Sequence, residues 1–409
     1  MNEAEATATG SAGSRGRRLS AIWAAPALFG VAFAAGALFA PAPGGAPLTA
    51  QAKVKRLPPP PPNGEMGFVV ENFAPAFLED PEACPEGTVL KIREAYLQSL
   101  PAEERARLSL KENEEELTKR WQASVMGPNG TNVCSNPDMF DRPMIRTVQS
   151  KRAVGLDLDE GNPAQGCQHQ EFVSPQGERG IDNQAYRALG CKLEWRGIDG
   201  KGGDQQRGNR SQHSSGEWTQ VLLLRGVDSL ENDPDVDIIY GNTPDRPVVD
   251  SKGEFLAGAS FTISDKAPRQ RNVLKGRIER GVLTTQPADI KLAQTWGQGG
   301  ARDIRGNRSI FDLRSGRLKL TFQPDGSVRG IAAGYQPVFD LIQSPALGGI
   351  GSAVVAGIDC AAELKALKAL ADGLRDPKTG QCTGVSSAYE LTAVPAFVND
   401  TPAQRTAAK

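Results

Sequence analysis

At 409 residues the chain has room for two or three domains of roughly 100–200 residues each and for a large buried core. Apolar residues at 39% rule out a wholly disordered chain, and 45 glycines and 29 prolines against 6% aromatic residues favour a strand- and loop-rich body over a helical bundle. With 47 Lys and Arg against 48 Asp and Glu, the net charge of -1 removes the long-range attraction on which a dedicated nucleic-acid binder depends, and 2 histidines are too few for a multi-histidine metal or haem centre.

The chain opens with Arg15, Arg17 and Arg18 ahead of an uncharged, mostly apolar run from Ala21 to Ala40, followed by a Pro/Gly-rich stretch and Ala50-Gln51-Ala52. A basic end, a hydrophobic run and an A-x-A site are the order of a signal peptide. The run is also long enough to span a bilayer as an uncleaved signal anchor. Both readings place residues 1–52 in export and the body outside the cytoplasm, with membrane contact only through this segment. Residues 53–80 contain Pro58 to Pro62, a polyproline run read as a stiff linker.

From 81 to 143 a small helical module is expected. Val89, Ile92, Tyr96, Leu97 and Leu100 fall on one face, Pro101 starts a new turn, and Ser109-Leu110-Lys111-Glu112 reads as a capping box for a helix that turns Leu110, Leu117 and Trp121 inward. Glu115 with Lys119 and Glu116 with Arg120 are spaced as i,i+4 ion pairs.

Between 144 and 337 helical spacing gives way to short β-type runs: Gln220–Arg225, Val236–Tyr240, Ser260–Ile263, Val273–Leu283, Asp289–Ala293, Ser309–Leu313, Arg317–Phe322 and Ser327–Ala332. In Arg317–Phe322 the apolar Leu318, Leu320 and Phe322 alternate with polar partners, and Gln323-Pro324-Asp325-Gly326 joins this strand to the next as a hairpin. Many strands without intervening helices predict a mainly β fold, an antiparallel β-sandwich or jelly-roll-like body. Residues 338–400 add a helix over about 359–372, with Gly373 as its C-cap, and a last strand over Tyr389–Phe397, before a tail at 401–409.

Six cysteines, Cys84, Cys134, Cys167, Cys191, Cys360 and Cys382, form an even set in a chain that reads as exported, which points to disulfides. Pairing within each segment gives Cys84 with Cys134, Cys167 with Cys191 and Cys360 with Cys382. No C-x-x-C spacing occurs, so a zinc ribbon, a thioredoxin motif and a c-type haem site are excluded.

Two acidic groups stand out. Asp157, Asp159, Asp182 and Asn183 lie among glycines, and Asp233 with Asp235 lies between two strands. Alternating carboxylates around Gly turns suit a hard cation such as calcium, which takes oxygen ligands, and two such loops close in space would share one ion. The EF-hand spacing is missing, and Asp, Asn and Gly are equally the ordinary residues of turns. An acidic rim beside Trp195, Trp218 and Tyr240 would suit calcium-dependent glycan binding if these rings were exposed, and simple core packing if they were not. His169 and His213 sit in Gln/Ser-rich loops and are expected to be exposed, with Ser174 or Ser214 as the nearest hydroxyls. Glu171 with Asp182 is the carboxylate pair a glycoside hydrolase would need.

Leu156-Asp157-Leu158-Asp159, Gly180-Ile181-Asp182-Asn183-Gln184 ending at Gly190-Cys191, and Arg225 to Asp235 together resemble a group of exported, often lipoprotein-like bacterial proteins without assigned function. The resemblance runs from about Leu156 to Pro337. It implies an envelope protein with a β-rich body and supplies no catalytic residues. The lipobox cysteine of many such proteins is missing after the hydrophobic run. The expectation is therefore a non-catalytic binding or structural module whose partner is an envelope glycan or an envelope protein, with a hydrolase of envelope glycans as the alternative.

Overall fold

The alternation seen at Leu318, Leu320 and Phe322 belongs to a 13-residue strand, Ile310–Phe322, that absorbs two of the expected strands. The computed structural model describes residues 57–161, 167, 169–203, 213, 214, 216, 218–264, 271–293, 310–343 and 357–400. Its strands are β1 (Met66–Pro75), β2 (Gln220–Arg225), β3 (Asn232–Asn242), β4 (Ser260–Thr262), β5 (Arg271–Glu279), β6 (Val282–Thr285), β7 (Ala288–Ala293), β8 (Ile310–Phe322), β9 (Val328–Pro337), β10 (Gly373–Arg375) and β11 (Cys382–Asn399). The helices are α1 (Ile92–Ser99), α2 (Ala102–Leu108), α3 (Glu114–Ser124), α4 (Gln184–Leu189), α5 (Leu193–Arg196), α6 (Val338–Gln343) and α7 (Cys360–Ala369).

Eight strands run in the order β1-β2-β3-β5-β6-β8-β9-β11, every neighbour antiparallel, and β11 returns to pair with β1. The body is a closed barrel, which corrects the sandwich or jelly roll. The correction comes from two strands the sequence hides. Met66–Pro75, inside the stretch read as a linker, pairs with both β2 and β11 and so removes the two edges an open sheet would expose. A register shift between Val70 and Asn72 interrupts its period-two pattern. The final strand is 18 residues long and begins at Cys382 rather than Tyr389. The expected single strand Val273–Leu283 is instead a hairpin, because Arg280 and Gly281 both take positive φ (50° and 76°) and turn β5 into β6.

An eight-stranded barrel is just wide enough to be filled by side chains. Leu222 and Leu224 of β2 join the main core with Phe68, Ile238, Leu274 and Leu320, while the alternate residues Val221 and Leu223 join an outer cluster under Phe255, Phe261 and Ile263. A third cluster packs Leu156 and Leu158 against Ala333 of β9 and Ala388 of β11, and so lays the acidic 157–159 segment on the barrel wall.

The disulfides join Cys84 to Cys191, Cys134 to Cys360 and Cys167 to Cys382. Each expected local pairing is therefore wrong. The helical module and the 145–196 loops pack against the C-terminal segments, so each bridge spans more than one segment, the shortest with a sequence separation of 107. In the module the expected pairs Glu115–Lys119 and Glu116–Arg120 form, at 2.6 and 3.3 Å. The capping box does not. The Ser109 hydroxyl donates back to the Arg105 carbonyl at the end of α2, α3 starts only at Glu114, and Leu110 is exposed. At the other end Gly373 belongs to β10 rather than capping α7, and a Cβ there would come within 2.2 Å of the Tyr335 ring.

Among the described residues no helix is long and apolar enough to cross a membrane. The Ala21–Ala40 run and the Ala50-Gln51-Ala52 site lie outside them.

Candidate functional site

Asp182 enters its position through a single bridge with Leu156: its backbone N–H donates to the Leu156 carbonyl at 2.9 Å, and its Oδ2 accepts from Leu158 N–H at 2.7 Å. The next turn is pinned in the same manner, because Gly161 N–H donates to Oδ1 of Asp157 at 3.2 Å and to Oδ1 of Asp159 at 3.0 Å. Gly180, at φ +75°, lets the strand pass close beneath Asp157, whose Oδ2 would lie 3.1 Å from a Cβ placed there. Two short segments thus hold Asp157, Asp159 and Asp182 with ligand oxygens all within 4.8 Å of one another, Asp182 buried and the other two half-buried. None of the three makes an ion pair with a lysine or arginine among the described residues. Arg317 of β8 reaches the segment, but donates to the Asp157 main-chain oxygen at 2.8 Å and to Glu160 at 3.0 Å.

A fourth carboxylate, not singled out in the sequence, completes the surroundings. Asp372, between α7 and β10, is buried and accepts from Ser386 N–H at 2.6 Å, while the Ser386 hydroxyl accepts from Gln184 N–H at 2.8 Å. Burial raises the Asp182 carboxyl to about 7 against the lowering effect of the Leu158 N–H, and the charges of Asp372, Asp159 and Asp157 add to the rise. Burial likewise raises Asp372 to about 6, opposed by its bonds to Ser386 and by His169. The Tyr335 phenol is pushed upward, first by burial and then by the same carboxylates. Asp372 was illegible because tertiary links bring its neighbourhood to the acidic loop: the Cys167–Cys382 bridge, the bonds through Ser386 of β11, and the packing of Leu156 and Leu158 on that strand.

The remaining expected ligands are used elsewhere. Asn183 caps α4, accepting from Tyr186 N–H at 3.1 Å and donating to the Val154 carbonyl at 2.8 Å. Asp233 accepts from the backbone N–H groups of Asp228 and Asp235 at 2.7 and 3.2 Å, and Asp235 pairs with Lys275 at 3.3 Å. Neither joins the cluster, so the two acidic loops do not share a site.

Trp195, Trp218 and Tyr240 are all buried, which removes them as a sugar-stacking platform. His213 is also buried, against expectation: burial lowers its imidazole to about 3, and its ring lies 5.4 Å from that of Trp218. His169 Nε2 is hydrogen-bonded to the Ala371 carbonyl at 2.8 Å. Ser174 is a turn former whose hydroxyl accepts from Gln176 and Glu178 N–H groups at 3.2 and 3.0 Å. Glu171 is exposed.

What the cluster can do follows from its donors. Gathered carboxylates without a paired cation repel, so the site either keeps a proton on Asp182 or accepts a cation. No protein family matches the chain, and no curated protein or solved structure matches it either.

Proposed function

We propose that the chain is an exported, non-catalytic binding or structural module of the bacterial envelope, with one calcium ion clamping the acidic loop to the barrel wall. The observation that carries this reading is the convergence of Asp157, Asp159 and Asp182 within 4.8 Å, each with one oxygen fixed by a backbone N–H. Calcium suits an all-oxygen set completed by carbonyls and water, and the neighbourhood offers no thiolate, since the three disulfides consume all six cysteines. Those disulfides fit an oxidising compartment, and the motif resemblance to exported proteins supports the envelope. The partner is an envelope glycan or protein, met by the polar rim rather than by exposed aromatic rings.

Calorimetric titration of the full chain with calcium at pH 8 tests this. A single saturable site is expected, lost in Asp159→Asn; heat that stays the same in the variant contradicts it.

One observation favours a second reading, a hydrolase of envelope glycans. Asp182, raised to about 7 by burial, stands beside Asp157 and Asp159 with the carboxylate oxygens all within 4.8 Å of one another, and a carboxyl that holds its proton close to a second carboxylate is the arrangement that retaining enzymes use at roughly 5–5.5 Å. Release of reducing ends from peptidoglycan or envelope polysaccharide, abolished by Asp182→Asn, would establish it in place of the first.

A further inference from the structure

Helix α1 is amphipathic, yet none of its residues is buried. It turns Ile92, Ala95, Tyr96 and Ser99, spaced i, i+3, i+4 and i+7, along a cavity of about 320 Å3, with Ile92 at its start also packed on the small Val125, Val133 and Ala361 cluster. The same cavity is lined by Pro143, Met144 and Ile145, and by Asp359 and Ala362 at the start of α7. An amphipathic face over unfilled space leaves its apolar atoms without the contacts a close-packed interior would give them.

Two guanidinium groups flank the Pro143–Ile145 wall, and they differ. Arg142 is neutralised, with its Nε 3.1 Å from Asp359 Oδ2. Arg146 is held in place by a bond from its Nη1 to the Thr88 carbonyl at 2.9 Å, but its nearest carboxylate, Glu86, is 3.9 Å away and largely exposed. A fixed cation in the lining of a largely apolar cavity calls for a ligand with one anionic end and an apolar body. At about 30 Å3 per water-sized group the space holds about ten non-hydrogen atoms.

We infer that this cavity binds a medium-chain carboxylate, with the alkyl body between α1 and Pro143–Ile145 and the carboxylate on Arg146. The site is independent of the acidic cluster. Helices α1, α2 and α3 all lack a side-chain N-cap, so the α1 wall is not fixed by such bonds and can adjust to the chain.

The test is calorimetric titration of the full chain with sodium octanoate, below its micellar range, and with 1-octanol. Saturable one-to-one binding of octanoate is expected, with octanol weaker. Arg146→Met should weaken octanoate about tenfold or more and remove its advantage over octanol. Ala95→Phe, which fills the cavity, should abolish binding of both while near-ultraviolet circular dichroism stays native; Ser99→Leu blocks the space from the next turn should Ala95→Phe not fold. No saturable binding, or binding retained in a folded cavity-filling variant, overturns the inference. An unchanged octanoate preference in Arg146→Met overturns the assignment of the head group.

Discussion

Burial and three neighbouring carboxylates hold the Asp182 carboxyl at about 7, well above its ordinary value of 3.8. A carboxylate raised on folding binds its proton more tightly in the native state than in the unfolded chain. As pH rises from about 4 to about 7 the unfolded chain releases that proton first, so stability falls across this window and levels off above it. Asp372, raised to about 6, adds to the same slope over the lower part of the window. In chelator, Asp182→Asn should therefore flatten the decline in melting temperature between pH 4 and pH 8 and melt higher than the native chain at pH 8, since the amide oxygen still accepts from Leu158 N–H. A calcium-induced shift should be small at pH 5 and large at pH 8, because the ion competes with the proton on Asp182. Asp157, Asp159 and Asp182 are legible in the sequence because they stand among glycines that can only be turns. Asp372 is not, since it reads as the end of a helix. The neighbours of His213 mislead in the other direction: Gln212 and Ser214 are polar, yet the imidazole is packed beside Trp218.

At the scale of elements, β2 is legible at its full length as a short continuous apolar run, buried on both faces, and the hairpin at Gln323–Gly326 is legible from the alternation of Leu318, Leu320 and Phe322 and from a turn with the residues its geometry needs. Hidden from both signals are β1, where prolines precede the strand and a bulge breaks the alternation, and the first half of β11, where Gly384, Ser386, Ser387 and Ala388 offer little apolar contrast. Yet β1 carries Phe73, which is stacked on Tyr389 with ring centroids 4.9 Å apart and meets Trp218 and Phe311 edge-on at 5.6 and 5.3 Å. Leu57 also packs against the main core. A chain begun at residue 57 should keep the melting temperature of the longer one, and a chain begun at residue 76, which lacks β1, should show no cooperative transition by far-ultraviolet circular dichroism. A linker at 66–75 would leave both folded.

At the largest scale the described residues form a closed barrel whose added segments are fastened by long-range covalent links. Cys134 to Cys360 and Cys167 to Cys382 have sequence separations of 226 and 215, and on the chain-entropy account a loop of even about 100 residues contributes about 4.7 kcal/mol. Nonreducing peptide mapping should recover Cys84–Cys191, Cys134–Cys360 and Cys167–Cys382. Recovery of Cys167–Cys191 would separate the acidic loop from Asp372 and dismantle the site. That the six cysteines pair as disulfides is legible from their even number; connectivity is not, because it depends on where the barrel carries the ends of the chain. The barrel, the Cys167–Cys382 link and the packing of Leu156 and Leu158 on β9 and β11 together place the carboxylates, so cation binding should be felt as global stability. The direct measurement is thermal unfolding of the oxidised chain at pH 8 in excess calcium and in chelator, with Asp159→Asn alongside. At 100 times its Kd the ion should add about 2.7 kcal/mol, several degrees in melting temperature, and the variant should show no such shift. Equal melting temperatures in calcium and chelator for the native chain would contradict the calcium site and leave the three aspartates as turn formers.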